Sequence, residues 1–313
     1  MKIVVSGANG MLATNIIEQL LHKGYEVRGL LRRESSYQGI QHKNLELVEG
    51  DFTNLEYVNS SIDGCECVIH SAAITKQNLP HYESYHQVNS CATEQLIKVA
   101  VAKGVKRFVF VSSANTIGYG TPESPSTEHT PMMAPFSNSF YARSKKSAED
   151  IVLSYSKSTD VVVVNPTLMI GKYGTKKGSN QILHMARTIT LCTSGGKSII
   201  DVEQAALGII AAFERGRSGE KYLISGENLS FKEFFQRFSS VRHIIVVPKF
   251  ILLCVGFIGS LLRHFSILSV PSLVDIQSIL VNPGYSNKRL ETELGFRPKT
   301  LAECGIFDNI DHK

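Results

Sequence analysis

A glycine-rich turn separates the first apolar strand of the chain from its first helical stretch. Lys2 to Val5 has the pattern of a buried strand, and Asn15 to His22 that of an amphipathic helix. Between them the sequence reads Ser6-Gly7-Ala8-Asn9-Gly10-Met11-Leu12-Ala13. Small residues at 7, 10 and 13 permit a tight turn, close approach of a ligand to the backbone, and close packing of helix on strand. This order predicts a βαβ unit.

The same alternation of strands and helices continues through the first half of the chain. The strands are nearly pure apolar runs, as expected when helices cover both faces of a parallel sheet. We therefore predict an α/β fold with a doubly wound parallel (Rossmann) sheet. The predicted elements after the first helix are Glu26 to Leu30, Leu45 to Val48, Cys67 to His70, Ala92 to Lys103, Arg107 to Val111, Ser144 to Ser156 and Val161 to Val164.

The glycine turn predicts a dinucleotide site, because the free N–H groups of the following helix can bind a pyrophosphate. We expect contacts from Gly7, Ala8, Asn9, Gly10, Met11 and Leu12. The second strand ends in Leu31-Arg32-Arg33 rather than in an acidic residue. A guanidinium suits a ribose 2′-phosphate, so we predict NADP, with Arg32 as the main contact and Arg33 in support. Two solvated arginines, with NAD as the cofactor, are the alternative.

Weaker cofactor candidates follow from position alone, since they lie near the carboxyl ends of predicted strands, where ligands bind in open α/β sheets. Asp51 is placed to accept a hydrogen bond from the adenine amino group. The other candidates of this kind are Phe52, Ser71, Ala72, Ala73, Val111, Pro166 and Thr167, and Asn89 is a further candidate at the entry to a helix.

Tyr141 and Lys145 are four residues apart in a helical stretch, which brings their side chains onto one face. A phenol has a pKa near 10, but a neighbouring ammonium and a cationic nicotinamide favour its ionised form. Ser113 follows a strand and can orient a substrate oxygen. We predict Tyr141 as the acid and base, Lys145 as its partner and a ligand of the nicotinamide ribose, and Ser113 as a stabiliser of the oxyanion.

These residues together resemble the extended short-chain dehydrogenase/reductases, the NAD-dependent epimerase/dehydratase family. The resemblance covers nearly the whole chain and implies that Ser113, Tyr141 and Lys145 form the catalytic triad. The segment from Tyr25 to Arg32 resembles dihydroflavonol reductases and 3β-hydroxysteroid dehydrogenase-like bacterial proteins, a group that commonly uses NADP. The matching motifs are Gly7, Gly10 and Ala13, Gly50-Asp51, His70 to Ala73, Asn89, Ser112-Ser113, Tyr141 to Lys145 and Asn165 to Thr167.

Two departures from the family lie on the substrate side and leave the substrate undefined. Many relatives have a histidine and acidic pair where this chain has Ile200 to Gln204, and an arginine where it has Asn165. His70 and His129 are candidates for the site, but packing and surface roles explain them better, and backbone hydrogen bonding explains Asn89 better.

After Pro166 the strand and helix period breaks down. Loop-like Gly171 to Lys177, helical Gln181 to Leu191 and a turn at Gly195-Gly196 precede a helix and a strand at Glu203 to Arg215 and Lys221 to Ile224. We predict a dinucleotide-binding domain over residues 1–166, to which 200–225 return. A smaller C-terminal domain, mainly for substrate binding, is expected over 167–313.

Three functions fit these features. The first is an NAD(P)-dependent oxidoreductase that moves a hydride between the cofactor and a carbonyl or alcohol. The second is a nucleotide-sugar epimerase or dehydratase, although Lys172, Lys176, Lys177 and Arg187 are the only nearby basic candidates for a sugar diphosphate. The third is a non-catalytic NADP-binding regulatory protein, against which the complete Ser113, Tyr141 and Lys145 set argues.

Composition limits the partners. A net charge of +5 with scattered basic residues gives no nucleic-acid patch. Six cysteines without paired spacing or a secretory signal indicate thiols, no metal site and a cytoplasmic protein. The apolar run Phe250 to Leu262 is too short to span a bilayer but suits a hydrophobic substrate or contact with a membrane surface. Among the resembled proteins a homodimer with an interface of two helices is common, and the resemblance makes a homodimer possible for this chain.

Overall fold

The computed structural model describes residues 1–76, 79–175, 178–238, 243–263 and 270–307. Twelve strands lie within these ranges. In chain order they are β1 (Lys2–Ser6), β2 (Glu26–Leu31), β3 (Leu45–Glu49), β4 (Cys67–His70), β5 (Arg107–Val111), β6 (Asp160–Pro166), β7 (Leu168–Ile170), β8 (Leu191–Cys192), β9 (Gly196–Asp201), β10 (Glu220–Ile224), β11 (Glu227–Ser230) and β12 (Ile245–Val246).

Seven of the strands form one parallel sheet in the spatial order β10-β6-β5-β4-β1-β2-β3. The strand order reverses between β1 and β4, and a crevice forms there beyond the carboxyl ends of the strands. Every strand predicted from the apolar runs is present in this sheet. The prediction of a doubly wound parallel α/β fold is therefore confirmed.

Helices cover both faces of the sheet. On one face α1 and α7 pack against each other and share one apolar core, while α2, α4 and α5 cover a second core on the other face. The helices are α1 (Met11–His22), α2 (Leu55–Ile62), α3 (Tyr82–Tyr85), α4 (Ala92–Ala102), α5 (Phe140–Ser154), α6 (Gln181–Thr188), α7 (Val202–Arg215), α8 (Phe231–Phe238), α9 (Lys249–Arg263), α10 (Leu273–Leu280) and α11 (Lys288–Leu294). A π-helical turn, His86–Cys91, joins α3 to α4.

Helix boundaries differ from the sequence prediction where a cap sets them. Helix α1 begins at Met11, not at Asn15, because extended Gly10 is its N-cap and directly ends the glycine turn. Helix α5 begins at Phe140, since the Ser139 hydroxyl accepts a hydrogen bond from the Ala142 amide. Tyr141 and Lys145 thus lie in the first two turns of a helix that begins earlier than predicted.

The part of the chain after Pro166 contains strands that the sequence analysis did not predict. Strands β7, β9 and β11 form a second sheet, in which Gly196 begins β9 and is not part of a turn. Helix α7 and strand β10 lie with the large sheet, where β10 pairs with β6. The division at residue 166 stays a prediction.

Helix α9 is the long apolar segment of the sequence. It packs against α10, where Gly256 lies close to Ile276 and Gly259 lies close to Pro271. None of the helices within the described ranges combines the length and hydropathy needed to cross a bilayer.

Candidate active site

Gly7 forms the tight turn after β1. Its φ of +75° favours glycine, and an added Cβ would lie only 3.0 Å from the Cα of Ala72. A Cβ at Gly10 would lie 3.1 Å from the Gly7 carbonyl oxygen. The two glycines therefore let the turn pass directly beside the loop that follows β4, within the crevice of the sheet.

The N-terminus of α1 points its first backbone N–H groups out of this turn. Gly10 has no side chain to cap them, and the first N–H groups of a helix have no carbonyl partner within the helix. Thr14 stabilises the turn by donating one hydroxyl hydrogen shared between the carbonyls of Ala8 and Gly10, both at 2.9 Å. This uncapped helix end, beside a cradle that a Cβ would fill, fits the pyrophosphate of a dinucleotide.

A buried hydrogen-bond chain that the sequence analysis missed fixes the neighbouring loop. The Ser6 hydroxyl lies 2.7 Å from His70 Nδ1 and accepts hydrogen bonds from the Ser71 and Ala72 amides, both at 3.1 Å. His70 Nε2 lies 2.8 Å from the Thr93 hydroxyl, which donates to the Asn89 carbonyl. Burial lowers the pKa of His70 well below its usual value, so the imidazole is neutral and structural.

Asn89 is held by protein groups and positions the same loop. Its side-chain oxygen accepts a 2.7 Å hydrogen bond from the Ile74 amide, and its NH₂ group donates to the Ile74 carbonyl and the Ser144 hydroxyl. The residue therefore ties the loop after β4 to helix α5. Its predicted contact with the cofactor remains untested, and these contacts show how it acts through the loop.

Arg32 and Arg33 follow β2 and are exposed. Within the described ranges neither guanidinium has an ion-pair or hydrogen-bond partner. Asp51 lies near Arg32, and its pKa is lowered mainly by hydrogen bonds from Thr53, with a smaller contribution from Arg32. Phe52 stacks on His70 with 5.0 Å between ring centres. The Arg32 and Arg33 guanidinium groups are thus free to bind an anionic group beyond the end of β2.

Tyr141 is buried on the first turn of α5, and its phenol is close to Ser113. Burial raises the pKa of Tyr141, and the hydrogen bond with Ser113 opposes that rise. The ring of Tyr85 packs edge-on against it with 6.4 Å between centres. The structure therefore brings Ser113 and Tyr141 together, with the phenol protonated at neutral pH in the protein alone.

Lys145 lies one turn further along α5 and is 2% exposed. Its Nζ donates a 2.7 Å hydrogen bond to the Val111 carbonyl and lies 4.1 Å from the centre of the Phe110 ring. Burial lowers the pKa of Lys145 to about 7, although the Glu149 carboxylate raises it. The sequence predicts that the Lys145 ammonium lowers the pKa of the Tyr141 phenol. In the cofactor-free protein this effect is weakened, because burial disfavours the charged form of both groups.

Glu149, which the sequence analysis did not consider, is buried one further turn along α5. One carboxylate oxygen accepts hydrogen bonds from Ser112, Thr116 and Asn165, each at 2.9 Å, and the other lies 3.2 Å from Lys221 Nζ. The sequence could have indicated this residue, because Glu149 is four residues after Lys145 and therefore lies on the same helix face. Asn165, one of the two departures from the family, thus contributes to a network behind the site.

The region beyond Ser113 contains residues from both halves of the chain. The Tyr285 hydroxyl lies 3.5 Å from the Ala114 carbonyl, and Tyr119 packs on Phe136. Lys197 Nζ lies 5.4 Å from the centre of the Phe136 ring, and burial lowers the pKa of Lys197 to about 8. Pro166 ends β6 and Thr167 follows it, and in the described chain the buried Thr167 hydroxyl has no hydrogen-bond partner.

The remaining residues considered for the site from the sequence are His129 and the basic residues after Pro166. Lys172 pairs with Glu18 of α1 at 2.9 Å, and both Lys172 and Arg187 line a cleft of about 590 Å³ with Asp201. His129 is exposed. Lys176 and Lys177 lie outside the described residues. The basic group considered for a sugar diphosphate therefore gains no support here.

The chain belongs to the NAD dependent epimerase/dehydratase family, whose model matches residues 3–225. The predicted membership of the extended short-chain dehydrogenase/reductases is thereby confirmed, and with it an enzyme that uses a nicotinamide dinucleotide. Both the oxidoreductase and the epimerase or dehydratase reactions are found in this family.

Three similar proteins illustrate the range of the family. A putative dihydroflavonol 4-reductase of a Synechocystis strain is 26% identical and covers 76% of this chain and 71% of its own. A sterol-4-alpha-carboxylate 3-dehydrogenase (decarboxylating) of Dictyostelium discoideum is 26% identical over 97% of this chain and 98% of its own. The crystal structure of the dTDP-glucose 4,6-dehydratase DesIV from Streptomyces venezuelae, with NAD bound, has a TM-score of 0.76, 20% identity and coverage of 99% and 96%.

Proposed function

We propose that this protein is an NADP-dependent reductase or dehydrogenase that interconverts a ketone and an alcohol on a largely apolar substrate. The observation that carries the proposal is the contact between the Ser113 hydroxyl and the buried Tyr141 phenol, one helical turn from Lys145. When bound, the nicotinamide supplies or accepts the hydride at the substrate carbon.

Each of the three residues has a separate task. Tyr141 donates its phenolic proton to the substrate oxygen during reduction and removes that proton during oxidation. Ser113 donates a hydrogen bond to the same oxygen and stabilises its developing negative charge. Lys145 lowers the cost of the phenolate that remains on Tyr141 and binds the nicotinamide ribose.

The cofactor site uses the glycine turn and the arginines beyond β2. The backbone N–H groups at the start of α1 bind the pyrophosphate, and Gly7 and Gly10 leave room for it. Arg32 binds the 2′-phosphate with Arg33 in support, and Asp51 and Phe52 lie on the adenine side. The loop Ser71 to Ala73, Val111 and the segment Pro166-Thr167 line the remainder, while Asn89 keeps that loop in place.

Two features support an apolar substrate, and we assign residues 167–313 mainly to substrate binding. The region beyond Ser113 is apolar, because Tyr119 packs on the buried ring of Phe136 and the buried ring of Tyr285 lies in the same apolar cluster as Ala114. The similar protein that covers almost the whole chain is named for a sterol carboxylate. The unpartnered Thr167 hydroxyl is available to a polar group of the substrate.

The experiment that tests the proposal separates a reductase from an epimerase or a regulatory protein. The purified chain is titrated with NADPH and NADH by fluorescence, and then assayed with steroid, flavonoid-like and sugar-nucleotide substrates at the nicotinamide absorbance band. We expect a preference for NADPH and net cofactor oxidation with an apolar ketone. Purification with tightly bound cofactor and turnover of a sugar nucleotide without net absorbance change would contradict the proposal, as would binding of NADPH without any turnover.

A further inference from the structure

Helix α9 exposes an apolar face on the surface of the protein. Counted at 3.6 residues per turn, its exposed apolar side chains occupy a sector of roughly 160° that contains no charged residue, while the exposed Lys249 lies outside it. Phe250 is 68% exposed and Phe257 is 66% exposed, which is unusual for phenylalanine in a globular protein. The exposed residues of this sector, which we call the α9 face, are Phe250, Ile251, Cys254, Val255, Phe257, Ile258 and Leu261.

The opposite side of α9 is already packed. Glycines occupy the contact with α10: a Cβ at Gly256 would lie 2.9 Å from an Ile276 side-chain carbon, and one at Gly259 would lie 2.0 Å from the Pro271 carbonyl oxygen. The Arg263 guanidinium pairs with Asp275 at 2.6 Å and fixes the end of the helix. The helix therefore holds its small residues inward and its large apolar residues outward.

Further apolar side chains are exposed in the strand pair before α9 and in the groove between α9 and α10. The strand pair β8 and β12, which precedes α9, exposes Leu191, Ile245 and Val246. A shallow groove of about 610 Å³ runs between α9 and α10 and is lined by Leu253, Phe257, Leu273 and their neighbours. Contiguous apolar surface of this kind marks a site of protein or membrane interaction.

The charges around the α9 face favour an anionic surface. From Phe234 to Val274 the sequence contains four Lys and Arg residues and no Asp or Glu. Arg237 and Arg263 pair with Glu227 and Asp275 at the borders of this segment, and Lys249 is exposed at the first position of α9. A helix with a free lysine at one end and with phenylalanine and leucine on its exposed face suits the interface of a membrane that contains anionic lipids.

A second copy of the chain is a poorer fit to the same surface. A symmetric dimer through the α9 face would bring two copies of the exposed Lys249 ammonium together, and no Asp or Glu between Phe234 and Val274 is there to pair with them. We therefore propose that the α9 face docks the protein onto a lipid bilayer containing anionic lipids, with α9 lying in the plane of the interface.

The docked helix lies close to the candidate active site. Asp275 and Arg263, at the contact between α9 and α10, are near enough to Tyr85 to shift the pKa of its hydroxyl in opposite directions. Tyr85 in turn packs on Tyr141. The packed side of α9 is thus connected through Asp275 and Tyr85 to Tyr141, while the α9 face points the other way.

The test measures vesicle binding and needs no substrate, so its failure is distinct from failure of the proposed function. The full chain is sedimented with vesicles of phosphatidylcholine alone or with added phosphatidylglycerol. We expect binding to the mixed vesicles that weakens with salt. The double variant Phe250→Asp/Phe257→Asp should lower the partition coefficient at least about 10-fold, whereas Leu55→Asp, at an exposed leucine on α2, should leave it unchanged.

A tryptophan probe gives a second measurement that does not depend on the charged variants folding. The chain has no tryptophan, so Phe257→Trp introduces a single reporter and Leu55→Trp a matched control. With mixed vesicles we expect a blue shift and quenching by brominated lipid for the first reporter only. Absence of vesicle binding by the wild-type chain overturns the proposal, and so does a concentration-dependent dimer that Phe250→Asp/Phe257→Asp dissociates, because the occupant is then a second copy.

Discussion

The ammonium of Lys145 donates a 2.7 Å hydrogen bond to the backbone carbonyl of Val111, two residues before Ser113. This contact ties the first turns of α5 to the carboxyl end of β5. It fixes the position of Tyr141 relative to Ser113 before any ligand binds. Because both the lysine and the phenol are buried, the ionisation of each is costly in the protein alone.

The stability of the cofactor-free protein should depend on pH through Lys145. Burial lowers the pKa of Lys145 from 10.5 to about 7, so between these values the folded chain binds fewer protons than the unfolded chain. The free energy of unfolding then rises with pH in this window, by up to about 1.4 kcal/mol per pH unit. Urea unfolding of the wild-type protein and Lys145→Met from about pH 7 to about pH 9 measures this contribution.

A matched control for that measurement is Lys146→Met, at the next position of α5, where the ammonium pairs with Asp150. Lys146→Met should keep the slope of the free energy of unfolding against pH that the wild-type protein has. Lys145→Met should lose the part of that slope that corresponds to about one proton. Equal slopes for the two variants would mean that Lys145 stays fully charged in the folded protein throughout the window, and would contradict the lowered pKa.

Removing the charge of Glu149 should move the pH profile of turnover. Glu149 raises the pKa of Lys145, so Glu149→Gln lowers that pKa while keeping an acceptor oxygen for Ser112 and Thr116. If the protonated lysine supports Tyr141, the alkaline limb of kcat/KM for ketone reduction shifts to lower pH. Asp150→Asn, at the exposed carboxylate one residue further on, serves as the control, and coincident profiles for the wild-type enzyme and Glu149→Gln would refute this role.

Arg32 should determine the choice between the two nicotinamide cofactors. A lost charge-assisted bond to the 2′-phosphate costs about 1.5 to 3 kcal/mol, which corresponds to a roughly 10- to 100-fold rise in Kd for NADPH. Arg32→Ala should leave the Kd for NADH unchanged, and Arg33→Ala should have a smaller effect on NADPH. Fluorescence titration of both cofactors measures this, and equal losses for NADPH and NADH would speak against a 2′-phosphate contact.

Gly7→Ala should weaken both the fold and the cofactor site. The left-handed φ costs an alanine about 1 to 2 kcal/mol, and its Cβ would press on Ala72, part of the loop beside the turn. Gly64→Ala is the matched control, because Gly64 has a φ of +70° but no atom within 4 Å of an added Cβ. Thermal unfolding should show the larger loss for Gly7→Ala, and only that variant should lose NADPH affinity.

The sheet could be predicted from the sequence because its strands are buried on both faces and appear as uninterrupted apolar runs. Val161 to Val164 is one example. Strand β7 was missed because it has only three residues, and β9 and β11 were missed because they mix polar with apolar residues. Gly196 also begins β9 directly after Gly195, a pair that is typical of a turn.

The candidate site was predictable where local spacing sets it. Gly7 and Gly10 share one turn, and Tyr141 and Lys145 share one helix face. Glu149 and Lys221, in contrast, meet only because α5 packs on β6, which pairs with β10, and Ser6 meets His70 only because β1 pairs with β4. Such contacts depend on tertiary packing, and neither partner stands out along the chain.

Turnover by Tyr141→Phe tests the central claim most directly, since the change removes only the phenolic hydroxyl. With an apolar ketone and NADPH, kcat should fall about 10²- to 10⁴-fold, while the Kd for NADPH stays at the wild-type value. Tyr82→Phe removes a hydroxyl from a ring that packs on Phe140 beside Tyr141, and it should keep full activity. Wild-type turnover by Tyr141→Phe would contradict the account.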